Sequence, residues 1–167
     1  MKKHIIKWMK SLGVLLICIT LSAQLQAQDE KQDKAAAVKQ LVESKNYQFV
    51  AETMLPQRGR VRPLTFGYDM IVSPDTLSAN LPFFGRAFTA PIGSTDGGIQ
   101  FTTTEFDYTI VPKDKGGWDI TIKPKNAKDV RQMLLNITES GYASLRVINL
   151  NRDPISFNGY IKERPKK

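Results

Sequence analysis

The sequence predicts a mainly β domain, an antiparallel meander or small barrel of about eight strands, preceded by one N-terminal amphipathic helix. Three observations predict it. Between Tyr47 and Ile161 apolar and polar residues alternate over short runs, the period of half-buried strands. Those runs are separated by clusters of Gly, Pro, Asn and Asp that turn the chain, with no repeat of fixed period. Helical spacing occurs ahead of the first strand, where Ala35, Val38, Leu41 and Val42 recur at three- and four-residue steps.

Taken in order, Asp29–Ser44 reads as a helix of about four turns, rich in alanine and charge and broken at Asn46. Tyr47–Leu55 reads as the first strand, with Tyr47, Phe49 and Ala51 on one side. Pro56–Pro63 holds Pro, Gly, Arg58, Arg60 and Arg62 and reads as an exposed loop rather than a polyanion site. Leu64–Ser73 is expected to resume as a strand through Phe66, Tyr68 and Met70, and Pro74-Asp75 turns the chain into Thr76–Asn80. Ile92–Gly98 is a glycine-rich loop without the lysine and following helix of a phosphate-binding loop. Ile99–Val111 alternates with a slip near its middle, fitting one bulged strand or two short ones.

Pro112–Gly117 is a hairpin turn into Trp118, Ile120 and Ile122. After a turn at Asn126–Asp129, Val130–Thr138 and Tyr142–Asn149 form a second hairpin across Glu139-Ser140-Gly141. Asn151–Pro154 turns the chain into a last strand through Ile155, Phe157, Gly159 and Ile161, and the basic tail frays. The glycosylation triplet Asn136-Ile137-Thr138 lies mid-strand and is taken as chance.

The chain has 167 residues, 41% of them hydrophobic, which suits one core. Its formal charge of +8 is concentrated at the start, where Lys2, Lys3, Lys7 and Lys10 precede the apolar run Leu12–Leu21 and small residues at Ala23 and Ala27. That is the pattern of a secretory signal peptide cut after Ala27, and the apolar run falls well short of the roughly 20 residues that span a bilayer. A lipoprotein cysteine at Cys18 is disfavoured, because Ile17 stands where a small residue is wanted. The expected organisation is a signal peptide over 1–27, a helix over 28–46, one β-rich domain over 47–162 and a basic tail over 163–167. The protein is expected to be exported to the periplasm or the extracellular space, with no transmembrane span left after cleavage.

Cleavage leaves 20 basic against 16 acidic residues, a mild excess that does not predict nucleic acid. It also removes His4 and Cys18, the only histidine and the only cysteine. Such a chain has no imidazole base, thiolate nucleophile or disulfide, and none of the usual nitrogen and sulfur ligands of zinc or copper. A Ser-His-Asp triad is excluded, and neither a metal nor a cofactor is expected.

The densest stretch is Leu81–Pro91, with three phenylalanines, two prolines and one arginine. Its rings are expected to lie buried side by side, plugging the end of a core or lining a pocket. If the backbone is extended, Phe84, Arg86 and Phe88 share a face while Gly85 and Ala87 stay small where another element packs close. Arg86 then needs a partner, such as Asp75 or Asp107.

Leu81-Pro82-Phe83-Phe84-Gly85-Arg86-Ala87, Gly98-Ile99-Gln100-Phe101, Lys115-Gly116-Gly117-Trp118, Gly141-Tyr142-Ala143 and the closing Asn151-Arg152 to Ile155-Ser156-Phe157-Asn158-Gly159 resemble a secreted bacterial family of the Bacteroidetes type, domain of unknown function 4251. The resemblance runs from about Tyr47 to Ile161. It implies a mostly β secreted domain and no catalytic residues to carry over. The family pattern often has tyrosine where Phe83 stands, so a polar catalytic role there is not expected.

Two functions follow from these residues. The first is a non-enzymatic binding or accessory domain of the cell envelope, holding a small apolar or anionic ligand or an envelope protein against Phe83, Phe84, Arg86 and Phe88. An open cavity beside the rings would favour a small ligand, and a filled interior a protein partner. The second is a carboxylate-based hydrolase of envelope glycans using Glu105 and Asp107, with Asp119 nearby. The plain alternative for those acids is the wet face of a half-exposed sheet.

Overall fold

The computed structural model describes residues 32–65, 67–88, 97–127 and 129–165. The expected signal peptide, Phe66 and most of the Ile92–Gly98 loop lie outside them. Within them, helix α1 (32–43) sets Val38 and Val42 into the core. It ends in a Schellman turn, with the Asn46 N–H donating to the Leu41 carbonyl and the Lys45 N–H to the Val42 carbonyl, both at 3.2 Å. The left-handed residue that stops the helix is Lys45, at φ 51°, and Asn46 follows it. No helix of the described residues is long and apolar enough to cross a membrane.

Ten strands follow: β1 (Tyr47–Pro56), β2 (Arg62–Pro63), β3 (Asp69–Val72), β4 (Leu77–Leu81), β5 (Ile99–Thr103), β6 (Phe106–Pro112), β7 (Trp118–Pro124), β8 (Val130–Ile137), β9 (Tyr142–Asn149) and β10 (Ile155–Glu163). Nine of them form one antiparallel path, β5-β4-β3-β1-β10-β9-β8-β7-β6, with β2 paired to β1 alone. The two ends of that path, β5 and β6, are consecutive in the chain, so the sheet curls into a nearly closed barrel. The joint is a tight corner in which the buried Thr103 hydroxyl accepts from the Glu105 N–H at 3.1 Å and lies 3.2 Å from the Glu105 carbonyl.

The core is built from alternate residues of every long strand. Phe49, Met70, Leu77, Ile122, Met133, Leu145 and Phe157 are all fully enclosed. The expected Leu64–Ser73 strand is shorter than its pattern, because Gly67 turns the backbone at φ 104° and pairing starts at Asp69. The slip in Ile99–Val111 is the Thr103–Glu105 corner, which resolves that run into two strands. The C-terminal strand continues to Glu163, beyond the point at which the tail was expected to fray.

β1 runs between β3 and β10, and its pairing with β10 shifts register between Ala51 and Thr53, a bulge at Glu52. Gly159 lies opposite Ala51, and a β-carbon there would overlap the Val50 carbonyl oxygen. The bulged strand thus packs backbone to backbone, a spacing that only glycine permits. Gly117 has the same role in the β6–β7 turn, where φ is +89° and a β-carbon would meet the Ile137 carbonyl.

A polar contact ties the free edge to the middle of the sheet. The Tyr47 hydroxyl, on a fully buried side chain of β1, lies 2.8 Å from the Tyr108 hydroxyl of β6. The Lys45 ammonium sits 5.1 Å from the centre of the Tyr108 ring. Burial, reinforced by the neighbouring Tyr108, holds the Tyr47 phenol well above its ordinary range. Burial also pushes Tyr108 up to about 12, against a smaller lowering from its bond to Tyr47.

Two outcomes are expected. Gly159→Ala should destabilise the protein by about 3 kcal/mol or more, the high end for forced overpacking, read from urea unfolding. Both phenols hold their protons more tightly folded than unfolded, so their contribution is complete below about pH 10, the unfolded value, and is lost as pH rises above it, for Tyr108 through about 12. Unfolding free energy should fall across that window by up to about 1.4 kcal/mol per pH unit for each tyrosine, and less steeply in Tyr108→Phe.

Candidate functional site

The stretch after β4 is held by a second segment far along the chain. Ala87 forms an antiparallel bridge with Arg152. The Phe88 N–H donates to the Asn151 carbonyl at 2.8 Å, and the Asp153 N–H donates to the Arg86 carbonyl at 3.0 Å. The Asp153 carboxylate, buried at 8% exposure, receives the Arg86 backbone N–H at 3.3 Å and its Nε at 3.5 Å. Gly85 packs close on this face: a β-carbon there would stand 3.4 Å from the Asp153 β-carbon and 2.9 Å from the tip of the Phe83 ring, which would have to shift. The small residues Gly85 and Ala87 therefore mark a close neighbour, as expected.

Beneath this clasp lies Arg152, a buried guanidinium. Its Nη2 donates to the Asp129 carboxylate at 2.9 Å, its Nη1 donates to the Gly97 carbonyl at 2.8 Å, and its guanidinium carbon lies 5.2 Å from the centre of the Phe83 ring. The buried Asn149 amide donates to the Asp153 carbonyl at 2.9 Å, which fixes the turn. Both terminal nitrogens of the guanidinium meet defined acceptors, one of them a carboxylate, so the charge is tolerated inside.

The three rings are not buried together. Phe83 packs partly against the core, whereas Phe84 is 43% exposed and Phe88 67% exposed. Phe88 is held by the clasp through its own N–H, whereas Phe84 lies two residues before the first clasp bond, at Arg86. Arg86 pairs with Asp153 and with neither expected carboxylate: Asp75 accepts from the Ser73 hydroxyl at 2.9 Å, and Asp107 lies 3.2 Å from Lys125 Nζ. The guanidinium stacked on an exposed ring is that of Arg62, with its central carbon 3.6 Å from the centre of the Phe84 ring. Val61 and Leu150, next in sequence to Arg62 and Asn151, are also exposed, at 60% and 56%.

The acids of the hydrolase reading stand apart from this site. Glu105 belongs to the corner before β6, so the regular alternation that would set it on the same face as Asp107 is interrupted. Both are exposed, and Asp107 is engaged by Lys125. Asp119 pairs across from Val111, four positions along β6 from Asp107 and roughly 13 Å away at strand rise.

The sequence reading missed Arg62, Arg152 and Asp153 as site residues. For Arg152 and Asp153 a signal was available, two adjacent opposite charges between apolar strands that need partners wherever the fold buries them. Arg152→Ala should cost about 3 kcal/mol or more, since it leaves Asp129 and two carbonyls without their donor. Arg86→Ala should cost about 1 kcal/mol or less, because that side chain is 59% exposed and Asp153 keeps its backbone donor. Thermal and urea unfolding of the two variants reads the contrast.

Comparison with known proteins bears on the family and the fold. The sequence model of the family described as Domain of unknown function (DUF4251) matches residues 29–161. No curated protein matches the chain. Among solved structures, a DUF4251 family protein from Bacteroides eggerthii DSM 20697 is similar, with a TM-score of 0.57, 12% identity and coverage of 78% of this chain and 87% of that one. At that identity the likeness speaks for the fold. The family match spans the helix, the barrel and both halves of the clasp, and on that ground the chain belongs to the DUF4251 family.

Proposed function

We propose that this protein is a non-enzymatic binding module of the cell envelope, which recognises an anionic segment of a partner protein through Phe84, Phe88 and the arginines beside them. The observation that carries the reading is a pair of water-exposed phenylalanines on a backbone clasped at both Arg86 and Phe88. Exposed rings add little to folding, and burying each against a partner is worth about 1.5–3 kcal/mol. Fixing their backbone in advance lowers the ordering cost of that step.

Phe83, the inner ring of the stretch, packs against the core cluster and leaves the outer two on the surface, an arrangement that favours a protein partner over a small molecule. Arg62 on the Phe84 face and Arg86 two residues on supply the cationic side of the patch, and arginine with aromatic rings is the composition of interface anchors. The lysine-rich start and short apolar run favour export and an envelope location.

The test is native mass spectrometry of the protein purified from its own periplasm. A stoichiometric protein partner is expected with the native chain. The Phe84→Ser/Phe88→Ser double variant should stay folded, with a small drop in melting temperature from the lost Arg62–Phe84 stack, and bind that partner at least about 100-fold more weakly, from the loss of two rings buried in the complex. Undiminished binding by the double variant overturns the reading.

A further inference from the structure

A different surface, on the outer face of the sheet, is also set apart by its residues. Across the outer face of the barrel the register sets Asp119 opposite Asn136, Asn136 opposite Ser144, and Ser144 opposite Asn158. Of four adjacent strands, β7, β8 and β10 thus place Asp or Asn in the same row and β9 places Ser144 there, and the row reaches β1 at Thr53 beside the Glu52 bulge. Asp and Asn are depleted in strands because their short polar chains pack badly on a pleated surface. One such residue is incidental, whereas three in a row joined through a serine depart from local preference in the way functional surfaces do.

The row is also a trough. Two open grooves of about 280 Å³ and 290 Å³ share Asn136 and Ser144 as lining residues, and so form one depression. Glu52, Tyr142 and Asn158 line one end, and Asp119, Thr121 and Arg146 the other. From β7 to β1 the row crosses five strands, roughly 19 Å at the usual spacing. Tyr142, 66% exposed, stands directly across from Tyr160, so an aromatic face borders the polar row.

The geometry points to a binding site for a neutral oligosaccharide, its hydroxyls held by Asn136, Ser144 and Asn158 and one sugar face laid on Tyr142. The lining chemistry selects that class. Amides, hydroxyls and carboxylates accept from and donate to vicinal hydroxyls, and an exposed ring takes the flat C–H face of a pyranose. Two acids against a single arginine disfavour a polyanion such as nucleic acid, which needs several cations. The trough offers no deep apolar pocket to anchor a peptide side chain, and its length suits several linked sugars rather than one. This site shares no residue with the aromatic patch around Phe84.

The test is binding of the purified full chain to an array of neutral oligosaccharides with gluco-, manno-, galacto-, xylo- and N-acetylglucosamine backbones, followed by calorimetric titration with the best member. At least one backbone should bind with a dissociation constant of about 1 mM or tighter. Tyr142→Ala and Asn158→Ala should each weaken it about tenfold or more, the effect of one lost contact, with the melting temperature unchanged. Tyr142→Trp should retain binding, Ser144→Arg should block the trough, and Phe84→Ser should leave the affinity as it was. The proposal is overturned if no backbone binds, or if binding persists in a folded Ser144→Arg or Tyr142→Ala variant.

Discussion

The architecture at the top of this molecule depends on one buried charge. Arg152 is enclosed beneath the Phe83 ring and donates to Asp129 and Gly97, so it ties together the end of β7–β8, the start of β5 and the approach to β10. A guanidinium in that position is costly unless its donors are met. Meeting them fixes the turn before β10, and that turn is the surface onto which Arg86, Ala87 and Phe88 zip. The turn that satisfies an interior charge is thus the same one that holds the backbone of Arg86 to Phe88. Phe83 faces inward over the arginine, while Phe84 and Phe88 stay exposed.

Beneath the clasp the barrel supplies rigidity by geometry more than by size. Its sheet has two free edges only because β5 and β6 meet at a corner instead of a ladder. The Tyr47–Tyr108 contact bridges from the middle of the sheet to one of those edges, and the helix end supplies Lys45 to the same ring. At the centre of the sheet, Gly159 lets β10 close onto the bulged β1. The bulge at Glu52 also adds to the local twist that curls the sheet, so one missing side chain serves both pairing and curvature.

Much of this was legible in the sequence because it is local. The hairpin of Val130–Thr138 with Tyr142–Asn149 follows from period-two alternation around Glu139-Ser140-Gly141, and the observed strands match it within a residue. The slip after Thr103 marked the corner, although the pattern left one strand or two open. What was not legible depends on contacts between distant segments. The partner of Arg86 lies 67 residues away, and nothing near Arg86 distinguishes Asp153 from Asp75 or Asp107. Composition also misled at Phe84 and Phe88: three rings so close together read as core, but two of them are exposed, and the bonds that hold the backbone at Arg86 and Phe88 come from the distant Asn151 and Asp153. The polar row across β7 to β10 exists only once register is fixed, since each of its residues is unremarkable within its own strand.

The central claim is that the aromatic segment is a rigid part of the fold which presents its rings, and not a loop that happens to be solvated. Amide hydrogen exchange at Phe88 and Asp153, the two N–H groups that close the clasp, tests it most directly. The account predicts protection at both that approaches the global unfolding free energy, comparable to amides in β9 and β10. Exchange at both amides at the rate of an unstructured chain, while the barrel strands stay protected, would contradict it.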